Sequence, residues 1–288
     1  MSKPKSRTVE TVNILLTLDK NYLQALPAML KSLFLNNPGE KIHVHLVHED
    51  MSPEDLEPVD RLCARHLAKL IPLRISGDRF RGAPVNYHYS RAMYYRLLAF
   101  ELLPASLDRI LYLDPDVLVI NRLAPLYTQD ISRHLYAAAA HTGLTNISTY
   151  VNQFRLNTFD AEYYYNSGVI LMNLAKLRRE EDGAKVFDYV AHHGNELILP
   201  DQDVFNALYG RHVLPLDDGL YNYDSRRFEA YLLKSGGEMT MDWVMRNTVV
   251  LHFCGKRKPW HETCGGRFAS LYKHYMRLAG RQCLQVTA

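Results

Sequence analysis

Several features are missing from this chain, and each absence excludes a class of protein. No apolar run approaches the roughly 18 residues a membrane-spanning helix needs, so none is expected. There is no GxGxxG fingerprint, and no GxxxxGK followed by Ser or Thr, which disfavours dinucleotide oxidoreductases and P-loop NTPases. Cysteine is scarce: Cys63, Cys254, Cys264 and Cys283 are scattered without a CxxC pair. That argues against a disulfide framework and a structural zinc site, and for free thiols in a reducing compartment. Charge of one sign is also lacking. A net charge of +3 is too mild to imply a nucleic-acid partner. Met1 to Glu10 is polar and lacks an apolar stretch, so no signal peptide is expected and the cytoplasm is the expected location. No internal repeat, low-complexity tract or clear linker divides the 288 residues.

What is present fits one sizeable α/β domain, with 47% apolar residues to build a core. Strands are predicted over residues 11–18, 41–47 and 71–75, with helices over 22–36 and 52–70 between them. This strand–helix alternation implies a mostly parallel sheet with right-handed crossovers. Residues 79–89 read as irregular and 90–103 as a helix. Further strands are expected at 136–140, 168–174, 213–216 and 248–253, and helices at 175–190 and 200–209. Residues 141–160, rich in Asn, Thr and Gln, read as a long functional loop or lid. The simplest division is a domain over 1–262 and a short helical tail over 263–288.

The stretch Leu111-Tyr112-Leu113-Asp114-Pro115-Asp116-Val117-Leu118-Val119-Ile120 places two carboxylates inside an apolar, β-prone run. Asp and Pro also form turns, but the apolar run continues past them, which places the acids within a strand and not at its end. Unpartnered charges there would cost several kcal/mol each. Residues i and i+2 of a strand share a face, so Asp114 and Asp116 can converge on one divalent cation. Oxygen ligands suit Mg²⁺ or Mn²⁺, and an added imidazole favours Mn²⁺.

His252 is the natural third ligand, against the plainer reading of a structural histidine at a strand end. It precedes Phe253-Cys254-Gly255-Lys256-Arg257-Lys258-Pro259-Trp260, where a glycine and three basic residues form a loop suited to a polyphosphate. A solvated turn is the alternative for that loop. Tyr163-Tyr164-Tyr165-Asn166-Ser167-Gly168 is either a turn or a polar grip on a hydroxylated ligand. Asp201-Gln202-Asp203 is either a helix N-terminus with favourable acids or part of the same grip.

Taken with Thr17-Leu18-Asp19-Lys20-Asn21-Tyr22 and Tyr95-Arg96, these motifs resemble, in order, those of the family 8 glycosyltransferases, the family of glycogenin and bacterial lipopolysaccharide galactosyl- and glucosyltransferases. The resemblance spans residues 11–261, and the ordered set is specific where any one motif is weak. It implies a GT-A fold, with a central mostly parallel mixed sheet flanked by helices. It also implies a retaining transferase that uses Mn²⁺, or Mg²⁺, and moves glucose or galactose from a UDP-sugar to a glycan or lipid-linked saccharide.

Carried onto this sequence, the resemblance has Asp19 and Asn21 reading the uracil edge and Tyr22 stacking on its face. Arg96 would lie near the diphosphate and sugar, and Asp114, Asp116 and His252 would hold the metal. Gly255 and Lys258 would hold the β-phosphate. Asn166, Asp201 and Gln202 would grip the sugar, with Gln202 nearest the anomeric face. Thr17, Pro115 and Gly168 complete the implied donor site, and Gln202, Asp201 and Lys258 are the implied catalytic residues.

The chain departs from the family at Ala139-Ala140-His141-Thr142, where members often carry an acid beside the acceptor. With no carboxylate nucleophile evident, retention is expected through same-face attack with the UDP phosphate as base. Competing expectations are a nucleotide-sugar-binding protein without transferase activity, a donor hydrolase and a metal phosphohydrolase. The basic, aromatic tail over 267–278 suits either packing on the domain or peripheral contact with an anionic membrane.

Overall fold

The computed structural model describes residues 11–76, 92–140, 156 and 163–284. The expected irregular segment at 79–89 and the lid at 141–160 (apart from Leu156), including His141, lie outside them. The main sheet has seven strands: β1 (Val12–Thr17), β2 (Ile42–His48), β3 (Lys69–Arg74), β4 (Arg109–Leu113), β6 (Tyr136–Ala139), β7 (Val169–Asn173) and β8 (Val213–Leu216). Their order is β3-β2-β1-β4-β7-β6-β8. All pairings are parallel except those of β7, which runs against both β4 and β6. A second sheet holds β5 (Val117–Val119), β9 (Tyr223–Asp224) and β10 (Val250–His252), in the order β5-β10-β9.

The parallel strands are apolar on both sides because both faces are covered. Val12, Ile14 and Leu16 of β1 point into one core with helices α1 (Leu26–Asn36) and α2 (Pro53–Arg65). Leu15 points into the other, with Tyr94, Tyr95 and Leu98. Helix α2 begins at a capping box in which Ser52 and Asp55 satisfy each other's backbone amides. It ends at Arg65, five residues before the expected end, because Leu67 takes a left-handed conformation (φ 58°) and turns the chain into β3. The expected helix over 90–103 is three short pieces in the described part, Ala92–Tyr95, a 3₁₀ turn at Arg96–Leu98, and Ala99–Leu102. The helix expected over 175–190 is two, α3 (Leu174–Glu180) and α4 (Ala184–His193).

Arg178 of α3 closes the loop leading into β4. Its guanidinium donates to the carbonyls of Phe100, Leu103, Pro104 and Leu107. Charge-assisted bonds to carbonyls are worth more than neutral ones. Arg178→Ala is expected to cost about 2–3 kcal/mol of stability in denaturant unfolding. Activity per folded molecule should be unchanged, because the carbonyls it holds precede the start of β4, opposite the strand end that carries the acids.

The tail forms helix α6 (Ala269–Leu284), after α5 (Pro200–Tyr209), and α6 packs on α1. Phe268 and Tyr272 are buried with residues of the second sheet, and the Tyr272 hydroxyl donates to Ala25 O. Asn36 donates to the Tyr275 hydroxyl. The tail aromatics are therefore spent on packing within one domain.

Candidate active site

Contrary to the sequence expectation, Asp114 and Asp116 do not lie inside one strand. Strand β4 stops at Leu113 and β5 starts at Val117 in the other sheet, so Asp114-Pro115-Asp116 is the corner where the chain changes sheets. The apolar residues after the corner are the start of β5, which is why the run looked continuous. The corner is pinned from both sheets: Asp114 N donates to Gly168 O (2.7 Å) and Phe253 N to Asp116 O (3.0 Å). Pro115, between them, has no N–H to satisfy.

His252, the last residue of β10, pairs with Val117 across the antiparallel ladder and so stands at the same corner. The Asp114, Asp116 and His252 ligand atoms all lie within 4.8 Å of one another. His252 Nε2 is 3.3 Å from Asp116 Oδ1 and 3.7 Å from Asp114 Oδ2. Gly168 makes the convergence possible, since a Cβ there would stand 2.3 Å from His252 Cε1 and 2.7 Å from Asp114 Oδ2.

These residues fit a divalent cation. Adjacent ligands of an ion with bonds of about 2.1 Å stand about 3 Å apart, close to what is seen. Asp116 Oδ1 is buried and makes no hydrogen bond, the state of an oxygen reserved for a metal. Burial disfavours charge on His252, but Cys254 and Asp116 outweigh it and lift its pKa well above the histidine range. The corner thus attracts positive charge to the imidazole. Burial would raise the Asp116 carboxyl, yet His252 and Lys258 hold it ionised below the usual carboxylate range. Lys258 makes a close ion pair with Asp116 Oδ2, and Asp116 raises its pKa against the effect of burial.

Beside this corner lies a polar cluster around Arg96, which is almost fully buried. Its guanidinium pairs with Asp114 (2.9 Å) and Asp201 (3.3 Å), donates to Ser167 O (3.0 Å), and stacks 4.3 Å over the Tyr112 ring. One cation serves two acids, and the Asp201 carboxyl accordingly sits above its ordinary range, raised by burial and only partly restrained by Arg96. Asp201 also accepts from the Ser167 hydroxyl at 2.8 Å. Gln202 Oε1 accepts from Asn166 Nδ2 (3.1 Å) and Ser167 N (3.4 Å), leaving its NH₂ for another partner. Asp203 is the residue that fits the plain N-terminal reading, accepting from the amides of Ile198 and Leu199.

On the first-strand side, Thr17 is buried at the end of β1. Asp19 caps the following 3₁₀ turn, accepting from Asn21 N at 2.9 Å. Asn21 is exposed, and Tyr22 presents a ring edge-on to Trp260, with centroids 5.9 Å apart. Burial raises the Tyr22 pKa while Lys258 lowers it and Asp116 and Asp114 raise it, which places the ring at the same mouth as the metal corner. Gly255 has φ +88° and lies under Arg226, whose Nη1 would be 2.5 Å from a Cβ. No other residue adopts that conformation there without strain.

Sequence reasoning missed Asn222, fully buried, which contacts both His252 and Asn166. It also missed Asn206, which clamps the backbone of Tyr165, and Tyr112, whose hydroxyl donates to Asp114 at 2.5 Å. The one cue for Asn222 was a lone amide within Leu220-Tyr221-Asn222-Tyr223, too common a pattern to single out.

The sequence profile described as glycosyl transferase family 8 matches residues 13–264. The chain belongs to glycosyl transferase family 8. It is 26% identical to general stress protein A of Bacillus subtilis (strain 168), over 94% of both chains. It is also 26% identical to lipopolysaccharide 1,2-glucosyltransferase of Escherichia coli (strain K12), over 88% of this chain and 74% of that one. Among solved structures it resembles the galactosyltransferase LgtC in complex with donor and acceptor sugar analogs. That match has a TM-score of 0.76 and 25% identity, and covers 93% of this chain and 96% of LgtC. The two-sheet α/β body is therefore a GT-A fold, and this family 8 member carries its acidic corner where the two sheets meet.

Proposed function

We propose that this family 8 chain transfers a hexose, glucose or galactose, from a UDP-sugar to a glycan or lipid-linked saccharide, with Mn²⁺ and with retention of anomeric configuration. The observation that carries this reading is the convergence of Asp114, Asp116 and His252 at one corner, flanked by Lys258 and by the Arg96–Asp201–Gln202–Asn166 cluster. A pure binding protein would have no need of a full metal site. Relatives named as glucosyl- and galactosyltransferases support a hexose donor without choosing between the two. The described helices include none long and apolar enough to cross a membrane, and with Phe268 and Tyr272 buried the exposed residues of the tail over 267–278 are Arg267, Ser270, His274 and Arg277. We infer a cytoplasmic enzyme.

Asp114, Asp116 and His252 would hold Mn²⁺, which when bound supplies a Lewis acid against the charge developing on the leaving UDP. Tyr22 would stack on uracil, with Asp19 and Asn21 at its edge and Thr17 and Pro115 lining the site. Lys258, with Gly255 allowing close backbone approach, adds electrostatic stabilisation at the β-phosphate. Asn166, Asp201 and Gln202 would hold the sugar. Gln202 spends its carbonyl on Asn166 and Ser167, so it donates to the sugar and does not attack it. Asp201 is occupied by Ser167 and Arg96. Same-face attack follows: the acceptor oxygen bonds to the anomeric carbon as the bond to phosphate breaks, and the acceptor proton passes to the leaving phosphate.

The test is a donor screen by UDP release, with the product anomer read by NMR. UDP-glucose or UDP-galactose should be consumed faster when saccharide acceptor is present, giving an α-linked product. A β-linked product would refute retention, and UDP release that no acceptor accelerates would identify a hydrolase.

A further inference from the structure

The polar groups between the metal corner and the sugar-facing amide form one chain with a single direction. Gly168 N, which can only donate, points at Asn166 Oδ1 at 2.9 Å. That oxygen therefore accepts, and the Asn222 atom 2.9 Å from it must be the amide nitrogen. The other end of Asn222 is then its oxygen, 2.8 Å from His252 Nδ1, so Nδ1 must carry a proton. Nε2 is the ring nitrogen that faces the two carboxylates. In the other direction Asn166 donates through Nδ2 to Gln202 Oε1, and Ser167 N, again an obligate donor, points at that same oxygen. Two backbone amides thus fix the orientation of three side-chain amides and one imidazole. Chains of this kind stiffen cooperatively in a dry site, and Asn222 and His252 are both buried.

We propose that Asn222 is a positioning residue that ties the metal-binding imidazole to the sugar-facing amide: one bond sets His252 with Nε2 free for the cation, and the next sets Gln202 with its NH₂ toward the donor sugar. Metal-bound histidines commonly have their second nitrogen fixed by a partner, and losing that partner typically costs 10–100-fold in metal affinity. What is specific here is that the partner continues, through Asn166, into the sugar site. The inference rests on the donor reading given above.

Two nearly isosteric variants separate the two ends. Asn222→Asp keeps an acceptor for His252 Nδ1–H but loses the donor to Asn166, placing two acceptors face to face. Mn²⁺ affinity, read by electron paramagnetic resonance, is expected to stay within about threefold of wild type or tighten. The affinity for UDP-hexose relative to UDP is expected to fall about tenfold, the worth of one well-oriented hydrogen bond. Asn222→Leu loses both bonds and should weaken Mn²⁺ about 10–100-fold as well. A residue that merely fills space would not split the two readouts in this way.

An unchanged UDP-hexose to UDP ratio in folded Asn222→Asp, or unchanged Mn²⁺ affinity in folded Asn222→Leu, overturns the proposal. Should neither variant fold, nitrogen NMR of histidine-labelled wild type with Mg²⁺ and UDP decides. A proton on His252 Nδ1 supports the chain, and a bare or metal-bound Nδ1 overturns it. Wild-type protein that binds Mn²⁺ but no UDP-hexose refutes the donor reading and this coupling together. Bound UDP-hexose with an unaltered ratio in the Asp variant refutes the coupling alone.

Discussion

Asp116→Asn is expected to lower hexose transfer by on the order of 10³-fold, the scale of losing a main electrostatic stabiliser of the leaving group. Mn²⁺ affinity should fall by at least about 100-fold, since loss of a supporting partner alone reaches that scale. The two should fall together, because Asp116 offers the metal the buried oxygen that finds no hydrogen bond within the protein. The substitution is isosteric and leaves Phe253 N its backbone acceptor at Asp116 O, so the corner and both sheets stay in place. Lys258→Gln is the control. It removes the cation beside Asp116 without removing a ligand, so transfer should drop while Mn²⁺ affinity changes by no more than a few fold. Metal binding by paramagnetic resonance and turnover by UDP release check both. Asp116→Asn protein that holds Mn²⁺ like wild type would remove Asp116 from the ligand set.

Arg96→Met is expected to act first on stability, costing about 3–5 kcal/mol, the usual consequence of leaving a buried charge without its partner. Two carboxylates depend on this guanidinium, Asp114 at 2.9 Å and Asp201 at 3.3 Å. Arg96→Lys should recover only part of the loss. An ammonium can approach the acids and Ser167 O, which Nη1 of the guanidinium reaches, but it lacks the flat face that lies over Tyr112. Adding Asp201→Asn to Arg96→Met should recover stability, a non-additivity that identifies the pair.

The pH dependence has a definite sign. Asp201 titrates above its unfolded value in the wild type, and more so without Arg96. The folded variant then holds a proton that the unfolded chain has released. The deficit is therefore smallest in acid and grows as pH rises through the raised pKa. Denaturant midpoints between pH 4 and 8 measure it. A deficit independent of pH would mean that packing, and not charge, accounts for the loss.

The chemistry-bearing motifs were legible in the sequence because each concentrates polar residues where the surroundings are apolar. Asp114 and Asp116 stand out in Leu111–Ile120, and His252 with Lys258 stand out after a strand. Strands β1, β2, β6, β7 and β8 were legible for the same reason, as short apolar runs bounded by turn residues. The change of sheet at Pro115 was not, because Val117–Val119 is apolar in either sheet and periodicity carries no information about which neighbour a strand pairs with. The early end of α2 was hidden because the left-handed residue is Leu67, not a glycine or asparagine that would have announced the turn. Asn222 escaped because its importance lies in contacts with His252 and Asn166, 30 and 56 positions away. Long-range pairing of isolated amides leaves no local pattern.

The central claim is that transfer runs through a metal-dependent donor site at the corner where the two sheets meet. Its most direct test is UDP release from UDP-glucose and UDP-galactose, with saccharide acceptor, before and after excess chelator and then with Mn²⁺ restored. Turnover should fall to background with chelator and return with Mn²⁺ in the wild type, and should not return in Asp116→Asn. Turnover that persists undiminished in chelator would contradict the account.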